Sequence, residues 1–193
     1  MDMIYYLFFT HIVLYWATSL FYMYKYKHGV TGNGYVIMNV LINQFLVTPL
    51  YWLAFHFYPD PLPWEHIIWQ LPAIIVLTDV IFYIFHRFFH WNKTLYNNVH
   101  KQHHEFDPPI ACAGLYCHPI EHLCVNLSST VFPMFIVKAN LLVALLWTII
   151  SSINVVVSHS NIHGGAHTTH HKYLTCNYGV GGLLMDRMLN TFR

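Results

Sequence analysis

Charge is what this sequence has least of. Only 9% of its 193 residues are Asp, Glu, Lys or Arg, against about a quarter in an ordinary soluble domain, and the formal balance is +1 with histidine neutral. So little charge gives no electrostatic surface for nucleic acid or for an acidic macromolecule. Its four cysteines, Cys112, Cys117, Cys124 and Cys176, form no C-x-x-C pair, which argues against a disulfide framework and for reduced, mostly buried thiols. No Walker loop, G-x-G-x-x-G or G-x-S-x-G occurs. Those nucleotide cradles and the nucleophile elbow are therefore missing, and any reducing equivalents come from outside.

Hydrophobic residues make up 56% of the chain and its mean hydropathy is +0.41, the composition of an all-α integral membrane bundle with about four to five apolar helices. Met3 to Met23 is uncharged over 21 residues, enough at about 1.5 Å per residue to cross a core of roughly 30 Å. It reads as a retained span, since the start is Met-Asp-Met and no small-residue cleavage site follows. A second apolar stretch runs from about Val36 to Tyr58, the loop Pro59-Asp60-Pro61-Leu62-Pro63 turns the chain, and a third stretch runs from about Ile67 to Phe89. Trp64, Trp69 and Trp91 flank this last one as an aromatic belt. Leu123 to Val137 and Leu141 to Val157 form either a transmembrane hairpin or a re-entrant pair. We expect residues 1–193 to be one membrane domain, with two spans and a loop in 1–68 and a histidine-rich region in 69–193. Eight basic residues (Lys25, Lys27, Arg87, Lys93, Lys101, Lys172, Arg187, Arg193) against Lys138 alone predict a cytoplasmic histidine-rich cap.

Sixteen histidines stand out against this background. His86 and His90 are at i and i+4, and His100, His103 and His104 at i, i+3 and i+4, so each set falls on one face of a predicted helix. His159, His163, His167, His170 and His171 repeat the same spacings. Neutral imidazole is the commonest protein metal ligand, and ten such groups exceed the needs of one ion. Asp79, two turns before His86 inside an apolar span, is expected to accept a ring N–H from a ligating histidine.

His118 to His122, HPIEH, has two functional readings. It matches the H-x-x-E-H of zinc peptidases, with Glu121 as base. Alternatively, His118, Glu121 and His122 line a substrate entrance or support ligands. A metal-binding membrane protein without catalysis is a third possibility for the whole chain. His11, His28 and His66 read as ordinary interfacial residues. No Glu has a His three residues later, which excludes the soluble carboxylate-bridged di-iron proteins.

The order H-x-x-x-H, H-x-x-H-H and, after two apolar runs, a distal H-x-x-H-H resembles the fatty acid hydroxylase and sterol desaturase superfamily of membrane di-iron oxygenases. DVIFYIFHRFFH, HKQHHEFDPP, HPIEH, HTTHHKYLTCNYG and MDRMLNTFR are similar to its successive boxes, and sterol desaturases and methylsterol oxidases come nearest. The resemblance implies two iron ions, with zinc as a possible substitute, ligated by His86, His90, His100, His103, His104, His159, His163, His167, His170 and His171. It further implies O₂, electrons from a cytochrome b5 type donor or a reductase, a lipid substrate in the bilayer and residence in the endoplasmic reticulum. Removal of hydrogen from an unactivated sterol or acyl C–H then ends in a hydroxyl group or a double bond.

Overall fold

The computed structural model describes residues 2–26, 34–161, 165–180 and 183–193, and every regular element among them is helical. In chain order these are α1 (Asp2–Tyr26), α2 (Gly34–His56), α3 (Ile67–Trp91), α4 (Lys93–Asn98), α5 (Pro119–Glu121), α6 (Ser128–Ile136), α7 (Leu141–Ser158), α8 (Ala166–Tyr173) and α9 (Leu184–Met188). A π-helical stretch, His122–Leu127, joins α5 to α6. Three helical stretches, Met3–Tyr26, Trp64–Trp91 and Leu141–Ser158, are long and apolar enough to cross a membrane, with Gly34–Leu46 as a shorter apolar helix. The aromatic belt expected around α3 is exposed, at 65%, 45% and 77% for Trp64, Trp69 and Trp91. Phe9, Val13, Leu20, Ile68 and Phe132 also face outward, as lipid-facing side chains do. The four cysteines are free, and all but Cys124 are buried.

The hairpin of α6 and α7 turns at residues 137–140. At its turn, Leu62 N donates to Lys138 O (2.9 Å), Asn140 Nδ2 to Leu62 O (3.1 Å) and Gln70 Nε2 to Val137 O (2.8 Å). Tyr58 OH adds a bond to Ala139 O (2.6 Å). The turn therefore meets the Pro59–Pro63 loop, at the end of α3 opposite its histidines. Both ends of the hairpin thus return to the histidine side. Around that turn an apolar cluster gathers Leu7, Ile74, Met134, Val143 and Trp147. At the opposite end Tyr15, Val36, Val40, Tyr116 and Val156 form a second cluster. Tyr15 OH donates to Cys112 O (3.0 Å) and Asn43 Nδ2 to Leu115 O and Cys117 O (both 2.9 Å). These buried bonds fasten segment 111–117 to α1 and α2.

One local expectation is corrected. The spacing of HKQHH predicts an α-helical face, but His100–Glu105 is a six-residue 3₁₀-helix. Residues three apart eclipse in that geometry, and the rings of His100 and His103 accordingly stack with centroids 5.7 Å apart. Asp107-Pro108-Pro109, closing in behind it, keeps the run from continuing as an α-helix.

Candidate metal centre

Nine of the ten predicted ligands converge at the end of α3; the tenth, His163, lies outside the described residues, as does His28. The nine form two groups in which each residue offers a nitrogen within 4.8 Å of the others. One group is His86, His90, His100, His104 and His170, the other His103, His159, His167 and His171. The two H-x-x-H-H boxes do not serve one group each. HKQHH gives His100 and His104 to the first and His103 to the second, while HTTHH gives His170 to the first and His167 and His171 to the second. The i/i+4 pairs stay together and the middle histidine crosses over.

The hydrogen bonds assign a tautomer to most of these rings. His86 Nδ1 meets Tyr178 O (2.7 Å) and His170 Nδ1 meets Cys176 O (2.8 Å), while His100 Nδ1 lies 2.9 Å from Glu121 Oε1, outside hydrogen-bond geometry. In the second group His159 Nδ1 meets Val155 O (2.7 Å), His171 Nδ1 meets Phe106 O (3.1 Å), and His103 Nδ1 meets Tyr116 O (3.4 Å). A carbonyl only accepts, so the single proton of a neutral imidazole sits on Nδ1 and Nε2 is left with a bare lone pair. Those Nε2 atoms gather around the Nε2 of His90 and of His167, rings that can each offer at most one proton there to several acceptors. His90 lies 2.8, 3.1 and 3.2 Å from His100, His170 and His104, and His167 lies 2.9 and 3.2 Å from His159 and His171. His86 Nε2 is buried and has no hydrogen-bond partner among the described residues.

Lone pairs crowded in this way repel unless a cation lies between them. Nitrogens about 2.0–2.1 Å from a common ion stand roughly 3.0–3.4 Å apart, which is the spacing observed, so the residues fit a pair of metal ions. Burial keeps the rings neutral: it holds His100, His159 and His170 down to about 3 and lowers His103, His104, His167 and His171 as well. An all-imidazole set suits iron, zinc or copper alike.

Asp79 does not accept a ring N–H. Its Oδ1 takes the Val180 N–H (3.0 Å) and its Oδ2 that of Met185 (2.9 Å), so it fixes the segment whose Tyr178 carbonyl orients His86. Buried inside a span, the carboxylate needs donors, and the folded-back C-terminal segment supplies backbone ones nearer than any ring nitrogen. Asp186, which sequence reasoning passed over, completes this clasp. It accepts from Tyr178 N (2.9 Å), Gly179 N (2.6 Å) and Thr191 Oγ1 (2.7 Å). Its signal was present in MDRM, a second acidic residue in a nearly charge-free chain.

Glu121 is buried and supports His100, whereas His118 accepts from Ile120 N (3.2 Å) and caps α5. His122 bonds to Asn126 (3.4 Å). His118 and His122 belong to neither nitrogen group, so the arrangement that a zinc peptidase needs is not formed. His66 takes a bond from Trp69 (3.0 Å). His11 is not the interfacial residue expected: it bonds to Ser152 (2.8 Å) and Gln44 (3.3 Å) inside the bundle. A 620 Å³ cavity starts beside Leu7 and Met134 and runs to His86, His103, His159 and His167. Its size suits a drug-sized apolar ligand.

Fold and site together define a membrane protein with two buried histidine clusters, able to hold metal, at the head of an apolar cavity. The model of the fatty acid hydroxylase family matches residues 71–191, and the chain belongs to that family. It is 30% identical over 138 residues to the Delta(7)-sterol 5(6)-desaturase of Candida dubliniensis, an alignment covering 67% of this chain and 36% of that protein. It is 31% identical over 163 residues to fatty acid hydroxylase domain-containing protein 2 of Homo sapiens (77% and 49% covered). With methylsterol monooxygenase 2-2 of Arabidopsis thaliana it shares 31% over 149 residues (68% and 55% covered). The chain thus spans about half or less of the length of most of these curated relatives. No solved structure matches it. The resemblance drawn from the histidine boxes, including its closeness to sterol desaturases, is borne out.

Proposed function

We propose that this protein is a di-iron oxidoreductase of the endoplasmic reticulum membrane that hydroxylates or desaturates a sterol or fatty acyl C–H, with its histidines on the cytoplasmic side. The observation that carries this reading is the convergence of bare Nε2 atoms at the mouth of an apolar cavity. Two iron ions bound there, with O₂ and electrons from a cytochrome b5 type donor or a reductase, supply the oxidising chemistry that no side chain can provide at an unactivated C–H. The chain's own share is placement. Residues 69–193 hold the ligands, and α1 and α2 wall the cavity that aligns a lipid and keeps water out. The acceptors at Nδ1 hold five of the nine rings, His86, His103, His159, His170 and His171, in place before lipid enters. Zinc would occupy the same nitrogens without redox activity.

Expression in microsomes tests the reading, with iron content and lipid profile followed with and without reductant. Two irons per chain and a reductant-dependent hydroxylated or desaturated lipid are expected. Equimolar zinc, no iron and an unchanged profile would replace it with a structural metal-binding role.

A further inference from the structure

A second polar layer lines the same cavity outside both nitrogen groups. His11 of α1, Gln44 of α2, Ser152 of α7, and His122 and Asn126 of the π-helical stretch all border it, in helices that are otherwise largely apolar. Polar side chains are costly at that depth and mark a cavity or a partner.

Their hydrogen bonds run in a fixed direction. Trp16 Nε1 donates to Gln44 Oε1 (3.0 Å), which leaves the Gln44 amide to donate to His11 Nε2 (3.3 Å). His11 then holds its proton on Nδ1 and gives it to Ser152 Oγ (2.8 Å). The Ser152 hydroxyl still has its own proton to give, and no acceptor for it is found among the described residues. Asn126 Nδ2, which only donates, meets His122 Nδ1 (3.4 Å). The His122 proton therefore sits on Nε2, and that atom is buried with no partner among the described residues. Two buried donors, on residues only 1% and 5% exposed, border one apolar cavity and have no acceptor to meet.

We propose that Ser152 and His122 form a two-donor subsite for an oxygen atom of the lipid substrate, a hydroxyl or carbonyl on the part of the lipid that lies in the cavity beside the histidine groups. This rests on the reading of the histidine groups as a lipid-oxidising centre. The nearness to those groups follows from the chain: His122 neighbours Glu121, which lies 2.9 Å from His100, and Ser152 lies seven residues before His159, about 10 Å along α7. A plain hydrocarbon segment would leave both donors unpaired, whereas a sterol hydroxyl or an acyl carbonyl satisfies them. A site built to bond an oxygen rejects the analogue that lacks it.

Equilibrium binding to the iron-loaded protein in nanodiscs tests the subsite with two pairs of ligands. One pair is a sterol alcohol against its 3-deoxy counterpart, the other palmitamide against hexadecane. The oxygen-bearing member of at least one pair should bind about tenfold more tightly, and the pair that shows this identifies the source of the oxygen. The preference should shrink to within about twofold in the Ser152→Ala, His122→Phe double variant. Ser152→Ala alone removes one oxygen atom and should reduce it partway, which carries the test should the double variant misfold. Equal affinity within both pairs, or a preference unchanged in Ser152→Ala, overturns the subsite. Iron content and lipid oxidation measured alongside keep the two proposals apart. Lipid oxidation without oxygen preference sinks the subsite only, and oxygen preference without lipid oxidation sinks the oxidase reading only.

Discussion

The group around His90 and the group around His167 are anchored differently. His86 and His90 stand one turn apart on the 25-residue α3, and two of the group's Nδ1 atoms rest on carbonyls of the C-terminal segment, Cys176 and Tyr178. That segment is held in turn by Asp79 and Asp186. His167 and His171 stand on the eight-residue α8, and the group's partners are carbonyls of Val155, Phe106 and Tyr116. Among the described residues the one carboxyl group in contact with a candidate ligand is Glu121, beside His100 of the first group. Burial pushes it up to about 8, and above that pH the anionic partner makes the imidazole more basic and a stronger ligand. The first site thus has the firmer scaffold and the stronger donor but depends on a clasp far along the chain. The second has neutral partners and meets the clasped segment only through Asn177 Nδ2, which donates to Ala166 O at the start of α8 (3.1 Å).

The largest effect that can probe this contrast is loss of a central ligand. His90→Ala removes the nitrogen that three others face in the first group, and should lower metal content from two ions to about one per chain. Activity should fall by more than about a hundredfold, beyond what loss of an outer partner causes. His167→Ala should do the same to the other ion. Iron analysis with cobalt(II) titration distinguishes the two, and two full ions in His90→Ala would dissolve the division into groups.

Next comes the clasp. A Cβ at Gly179 would lie 2.6 Å from Asp79 Oδ1 and 2.8 Å from Asp186 Oδ2, so Gly179→Ala must push both carboxylates off the segment that orients His86 and His170. Metal affinity of the first site should drop roughly 10–100-fold while the second stays as it was. Equal weakening at both sites would show that the clasp supports the whole cap. Smaller again is Glu121→Gln. Burial pushes the Glu121 carboxyl up to about 8, so the charge that the amide lacks is fully present only above that pH, where about a tenfold loss at the first site is expected. Reductant-dependent lipid oxidation should persist; its replacement by loss of a proteolytic activity would favour the peptidase reading of HPIEH.

How much of this was legible in the sequence follows from the range of the interactions. The apolar spans, the Pro59–Pro63 turn and the pairing of His86 with His90 depend on local sequence signals, and α3 carries the first and the last of them. The crossing over of His103 and His170 was not legible, because it depends on the 3₁₀ geometry of His100–Glu105 and on how α8 meets it in space. Asp79 was rightly singled out as costly inside a span, but its partners lie about a hundred residues away, in backbone N–H groups that no spacing rule identifies. His11 stood inside a span just as Asp79 did, and the same argument applied to it would have found its bond to Ser152.

The smallest expected effect concerns His118, where the HPIEH motif and the fold disagree most directly. In a zinc peptidase His118 is a ligand and its loss empties the site. Here its Nδ1 accepts the Ile120 N–H at the start of a helical run that continues through α6. His118→Ala should therefore cost about 1 kcal/mol, the usual worth of an N-terminal cap, seen as a small drop in thermal midpoint. Neither group contains His118, so both ions and the contrast between their sites should remain. Loss of an ion from His118→Ala at unchanged helicity would mean that a third ligand set had been overlooked, and would revive the peptidase assignment.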